Sequence, residues 1–143
     1  MSIKQLSIFV ENKPGRLASI TDLLAENGVD IRALSIADTT DYGILRLIVS
    51  DPEKAESSLK NAHMTVSITN VLAVGIPDIP GGFAKAIKVL SDEGIGVEYA
   101  YAFITPKAGK AYVIMRVEDN EKAAGILENA GIETISQEEI FTI

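Results

Sequence analysis

The amino-acid sequence predicts an α+β protein made of two β-α-β-β-α-β units packed together, each an antiparallel sheet with its two helices on one face. Three observations predict it. The chain repeats itself at a shift of 66 residues, and the apolar period changes in the same order within each copy. In both copies a Pro-Gly pair separates the first strand from the first helix.

The repeat is direct. Leu6 to Ala18 returns as Leu72 to Ala84, so that Pro14 falls on Pro80, and the same shift carries Gly28 onto Gly94, Ile31 onto Val97 and Gly43 onto Gly109. Beyond that the shift becomes 68, with Glu53-Lys54-Ala55 matching Glu121-Lys122-Ala123 and Leu59 matching Leu127. The two-residue insertion is even and keeps inward and outward faces in phase.

Residues from about Lys4 to Val10 are β-rich, and Pro14-Gly15 breaks the strand. Leu17, Ile20, Leu23 and Leu24 then fall at helical spacing over Arg16 to Asn27, with Gly28 where a C-terminal cap belongs. Ile31 to Ala37 and Ile44 to Val49 read as strands joined by the turn-rich Asp38-Thr39-Thr40-Asp41-Tyr42-Gly43. Pro52 opens a second helix to about Ala62, and Thr65 to Thr69 is the last strand. The second copy gives a strand at Val71 to Ile76, a helix at Phe83 to Glu93, strands at Val97 to Ile104 and Ala111 to Val117, a helix at Asn120 to Ala130 and a C-terminal strand. This order is the split βαβ or ferredoxin-like unit. The expected domains are residues 1–70 and 71–143, with strand running through Asn70 from one into the other. Strands such as Ile44 to Val49 and Val71 to Val74 are apolar on both faces, which predicts that a sister unit or another chain covers the second face.

Composition narrows the function. The 143 residues include 20 Asp+Glu against 13 Lys+Arg, one His and no Cys. A net charge of −7 opposes phosphate backbones, and no basic cluster overcomes it, so no nucleic-acid partner is expected. Without cysteine there is no thiolate catalysis and no Cys-ligated zinc. No stretch reaches the roughly 18 apolar residues of a membrane span, so the expectation is a cytoplasmic protein with no membrane partner. Neither a cofactor nor a metal is implied.

The loop Glu11-Asn12-Lys13-Pro14-Gly15-Arg16-Leu17 is the most informative segment. Backbone N–H groups of Gly15, Arg16 and Leu17 at a helix start face outward at the positive end of the helix dipole, where a carboxylate fits. Gly15 has no Cβ to block approach, and the Asn12 side-chain carbonyl can accept from an ammonium group. Pro-Gly could equally do no more than start the helix while Asn12 closes an Asx turn.

The Asn12-x-Pro14-Gly15-x-Leu17 turn, the helix ending Leu23-Leu24-Ala25-Glu26-Asn27-Gly28 and the opening Val29-Asp30-Ile31 resemble the ACT domain family of amino-acid-sensing modules, and the resemblance covers the chain twice. It implies a non-catalytic regulatory sensor whose effector, a free amino acid, lies between paired domains, and hence a homodimer acting on an unnamed regulated enzyme. Carried over by position, the ligand-binding residues are Asn12, Lys13, Pro14, Gly15, Arg16 and Leu17 in the loop, with Asp30 and Ile31 opening strand two. A candidate second site comprises Asp78, Pro80, Gly81, Gly82 and Phe83. The chain departs from a subset of the family that has an imidazole at the end of strand one and an amide opening strand two, for it holds Val10 and Asp30 there. Serine is therefore not assumed as the effector.

The two loops are not equivalent. Asn12 becomes Asp78, Lys13 becomes Ile79, Arg16 becomes Gly82 and Asp30 becomes Gly96, so the first loop is expected to make the main contacts. His63 has no second metal ligand at the right spacing and reads as a turn residue. Tyr99, Tyr101 and Phe103 alternate on one face and read as packing rather than an RNA platform. Gly81-Gly82 lacks the Lys-Ser/Thr of a phosphate loop. Gln137-Glu138-Glu139 reads as a solvated face. The alternative is a ferredoxin-like small hydrolase, acylphosphatase-like, built on Arg16 and Asn12, but no general base accompanies them.

Overall fold

Alternation in Leu6, Ile8 and Val10 turns one side of β1 (Ile3–Glu11) toward a core that also receives Leu45 and Leu47 of β3 (Tyr42–Val49). The computed structural model describes residues 2–38, 41–103 and 107–142. Thr39 and Thr40 of the expected turn, and Ile104 of the expected strand end, lie outside the described residues. The chain divides into two compact units, an N-terminal one of Lys4–Thr69 and a C-terminal one of Asn70–Ile143 together with Met1–Ile3.

In the N-terminal unit, β3 pairs antiparallel with β1 on one side and with β2 (Ile31–Asp38) on the other, in the registers Leu6↔Leu47 and Leu34↔Leu47. The Phe9 N–H donates to the Thr65 carbonyl at 3.1 Å, just before β4 (Val66–Pro77). Helix α1 (Arg16–Glu26) buries Ile20 and Leu24, and α2 (Pro52–Asn61) buries Ala55 and Leu59. Asp51 caps α2 by accepting from the Lys54 N–H at 3.1 Å, with Pro52 in the first turn where its missing donor costs nothing.

The C-terminal unit follows the same plan with β5 (Tyr99–Phe103), β6 (Lys110–Arg116), β4 and β7 (Glu133–Ile135) in spatial order, all antiparallel. Helices α3 (Gly82–Asp92) and α4 (Asn120–Asn129) bury Ala86, Leu90, Ala123 and Leu127 against Leu72, Val74 and Met115. The fold is thus two ferredoxin-like units with helices on one face of each sheet.

Two details differ from expectation. The strand expected from Val97 starts at Tyr99, because pairing begins only where the Glu98 N–H reaches the Arg116 carbonyl at 2.9 Å and Gly96 brings no side chain to anchor an earlier start. After β7 comes a short helix, α5 (Gln137–Ile140), in which Ser136 and Glu139 form a capping box and Ile140 is buried. Gln137 is half-buried, whereas Glu138 and Glu139 are exposed as expected. Strands expected to be apolar on both faces do bury residues of both: Ile48, Val71, Ala73 and Ile114 are all buried.

Candidate functional site

The loop after β1 is built by its backbone. The Asn12 N–H is held by the Asp41 carbonyl at 3.0 Å and the Lys13 N–H turns back to the Glu11 carbonyl at 2.8 Å. Gly15 then takes φ +86°, a left-handed conformation that an L side chain adopts at a cost of about 1 kcal/mol or more. A Cβ added at Gly15 would meet nothing within 4 Å, so conformation rather than crowding requires the glycine, and the space beyond it is open.

The first turn of α1 has no side-chain cap and no acidic residue. Of the three N–H groups expected to be free, that of Arg16 is engaged, donating to the Lys13 carbonyl at 3.2 Å. Among the described residues, no acceptor serves the N–H groups of Gly15, Leu17 and Ala18. The donor set for an anion is therefore Gly15, Leu17 and Ala18, with Ala18 in place of the expected Arg16. Lys13 Nζ and Arg16 Nε lie 3.3 and 3.8 Å from one Glu11 carboxylate oxygen, which leaves this exposed cluster with one net positive charge.

The structure sorts the expected residues into three places. Asn12, Lys13 and Leu17 line a pocket of about 120 Å³ with Val10, Glu11, Ile36 and Gly43. Pro14 and Gly15 form the turn at the start of α1. Arg16 instead lines a separate groove with Ser19, Ile20 and His63. Asp30 and Ile31 are at the far end of the unit, where the Asp30 N–H donates to Ser50 Oγ at 2.9 Å and Asp30 pairs with Arg32 at 3.4 Å. The length of β3 from Tyr42 to Val49 separates the two groups, about 23 Å at ~3.3 Å per residue. Within one unit they cannot hold one ligand.

Ile36 and Glu11 belong to the pocket and were not singled out from the sequence. The signal was present in the strand phase, for Ile36 pairs with Leu45 and Leu45 with Ile8, which puts all three on the helix-bearing face. Because β2 is an edge strand, Ile36 and Leu34 remain 47% and 56% exposed there.

The second loop repeats the backbone with other side chains. The Asp78 N–H reaches the Gly109 carbonyl at 3.0 Å, and Gly81 takes φ +88° after Pro80. Gly82 has a steric cause of its own: a Cβ there would stand 2.2 Å from the Pro77 carbonyl oxygen. Ile79 and Phe83 are exposed where the first loop has Lys13 and Leu17, so this loop offers an apolar rim without a cation.

His63 is a turn residue, as expected, but an unusual one. It is the one non-glycine residue with positive φ among those described, at +63°, following the end of α2 where its counterpart Gly131 follows α4 at +78°. Tyr99, Tyr101 and Phe103 are half-buried, and Phe103 stacks on Tyr112 with ring centroids 5.4 Å apart. Among the described residues no group of three or more His, Cys, Asp or Glu is placed to hold a metal, and no helix is long and apolar enough to cross a membrane.

A family of sequences described as an ACT domain pair matches residues 1–143. This chain is an ACT domain pair. A search of curated proteins gives no match. Among solved structures, protein BT0572 from Bacteroides thetaiotaomicron is similar at 40% identity, with 100% of this chain and 98% of that one covered and a TM-score of 0.93. The regulatory subunit of aspartate kinase from Thermus thermophilus, in its ligand-free form, shares the fold at 18% identity and TM-score 0.64, with 89% and 91% of the two chains covered. The corresponding subunit from Thermus flavus shares it at 17% identity and TM-score 0.62, with 90% and 92% covered. An ACT pair thus presents the loop after β1 twice, in the two versions described above.

Proposed function

We propose that this ACT pair is a non-catalytic regulatory protein that binds a free amino acid at the Asn12 to Leu17 loop. The observation that carries the reading is the first turn of α1: free N–H donors, no acidic residue within the turn, and a pocket with a polar side at Glu11, Asn12 and Lys13 and an apolar side at Val10, Leu17 and Ile36. The effector carboxylate sits at the helix start, its ammonium reaches the Asn12 side-chain carbonyl, and its side chain faces the apolar wall.

Asp30 and Ile31 join the site only from a second copy of the chain. A homodimer that sets the exposed β2 edges side by side, running in opposite directions, brings the start of one β2 to the loop of the other and covers Leu34 and Ile36. Binding then favours the paired arrangement by no more than the ligand's differential affinity for it, which is the regulatory signal passed to a partner enzyme. The first loop is the main site and the Asp78 to Phe83 loop a weaker one, since it has lost both cations. The cytoplasm is the compartment where such an effector pool is sensed. A thermal-shift screen of the twenty amino acids beside an acyl phosphate turnover assay tests this reading: one amino acid should raise the melting temperature, and turnover without any such shift would favour the hydrolase instead.

A further inference from the structure

The groove that takes Arg16 away from the amino-acid loop has a chemistry of its own. It measures about 310 Å³, and α1 contributes Arg16 and Ser19, the turn after α2 contributes His63 and Thr65, and the sheet contributes Phe9, Tyr42 and, shared with the loop pocket, Val10 and Glu11. All of it lies within the N-terminal unit.

The C-terminal unit shows what the same place looks like when it is closed. By strand register, which matches Glu11↔Tyr42 with Pro77↔Lys110 and so sets Gly43 on Ala111 rather than on the expected Gly109, Gly75 stands where Phe9 stands, Lys110 where Tyr42 stands and Glu133 where Thr65 stands. There Lys110 and Glu133 form an ion pair, and a Cβ on Gly75 would lie 2.9 Å from the Glu133 carboxylate, so the pair fills the space directly over the glycine. In the N-terminal unit neither charge is present. Two aromatic rings and a hydroxyl border open space instead, with Phe9 58% and Tyr42 54% exposed.

The turn beside it carries the second observation. His63 and Gly131 make equivalent bonds, His63 N–H to Lys60 at 2.9 Å and Gly131 N–H to Glu128 at 3.0 Å, yet only the first turn holds a residue with a side chain in left-handed backbone. Backbone strain of this kind persists where a side chain is put to use. What it places here is the chain's single imidazole, in the groove that also receives Arg16.

We propose that this groove is a second ligand site, beside the amino-acid pocket and sharing only Val10 and Glu11 with it, for a small carboxylate with a planar or aromatic body. The carboxylate lies between the Arg16 guanidinium and the His63 ring N–H, where it takes over from the exposed Glu11 carboxylate, 3.8 Å from Arg16 Nε, as the partner of the guanidinium. The body passes the end of β1 to lie against Phe9 and Tyr42, which the strand pairing Glu11↔Tyr42 and Phe9↔Ile44 sets together on the face of the sheet away from the helices.

Because the protein has one histidine, its imidazole proton signals report on this groove alone. Titrating the full chain with para-fluorobenzoate should shift those signals saturably at concentrations up to about 10 mM. Fluorine NMR of the probe should show His63→Gly and Arg16→Gln each weakening binding by about tenfold or more. Lys88→Gln, which removes an exposed cation from the C-terminal unit, should leave it unchanged. His63→Gly should at the same time raise the melting temperature, since glycine already serves at the equivalent turn, so loss of binding is not loss of fold. No saturable shift, wild-type affinity in His63→Gly, or equally tight binding of para-fluorobenzyl alcohol would each overturn the proposal. A failed amino-acid screen leaves the result standing, because His63 lines this groove and not the loop pocket.

Discussion

Asn12 and Asp30 are fixed at opposite ends of β3: the Asn12 N–H is held by Asp41, next to the first residue of that strand, and the Asp30 carbonyl accepts from Ser50, next to its last, at 3.0 and 2.9 Å. Two residues so placed meet at one ligand only if they come from different copies. A mixture of Asn12→Ala and Asp30→Ala chains should therefore recover about a quarter of the wild-type sites if the chains exchange at random, although each variant alone binds poorly. Recovery is read by calorimetry after mixing and re-equilibration. Binding by Asp30→Ala alone at full affinity would remove Asp30 from the site.

The second prediction concerns the β2 edge. Leu34 and Ile36 are exposed and paired only on their β3 side, so Leu34→Asp should abolish self-association and leave the fold of each unit intact. Light scattering should give a dimer for the wild type and a species of 15.3 kDa for the variant. A wild type that is monomeric at micromolar concentration would contradict the paired site.

Two glycines at the same turn should respond differently to alanine. Gly15→Ala meets nothing within 4 Å and costs only its positive φ, about 1 kcal/mol, whereas Gly82→Ala drives a Cβ into the Pro77 carbonyl and should cost about 1–3 kcal/mol. Urea denaturation compares them. Equal costs would mean that the turn after β4 relaxes freely.

Acid should loosen the C-terminal helix before the rest of the chain. The Ser136 backbone N–H and hydroxyl both bond Glu139 and hold its carboxyl below the ordinary value of 4.5. A group lowered on folding contributes its stability above the unfolded value, and that contribution is lost as pH falls through the folded one. Amide exchange at Ile140 to Thr142 should thus accelerate, relative to the pH trend of β4 amides, as pH falls below the ordinary carboxyl value of 4.5, and Glu139→Gln should remove the difference.

Much of this was legible in the sequence because repeats and periods are local. Pro14-Gly15, Gly28 and Pro52 mark element ends through backbone preferences that no distant contact overrides, and the helix at Arg16 and the strand from Ile31 begin where those preferences place them. Helix α5 was not expected, yet its signal was four residues long: Ser136 and Glu139 stand at capping-box spacing. The separation of Arg16 from Lys13 and Leu17 was not legible at all. It depends on which side of α1 each side chain leaves, and that is set by how the helix sits on the sheet rather than by the residues of the loop. His63 was read correctly as a turn residue, but its left-handed φ and its position beside Arg16 are properties of the folded turn.

The most direct test of the central claim is a calorimetric titration of wild-type and Asn12→Ala protein with the amino acid that the thermal screen selects. Loss of a charge-assisted hydrogen bond to the ammonium should weaken binding by about 1.5–3 kcal/mol, with one strong site per chain in the wild type. Asn12→Ala that is folded and binds as the wild type does, or a wild type that binds none of the twenty amino acids, would contradict the account.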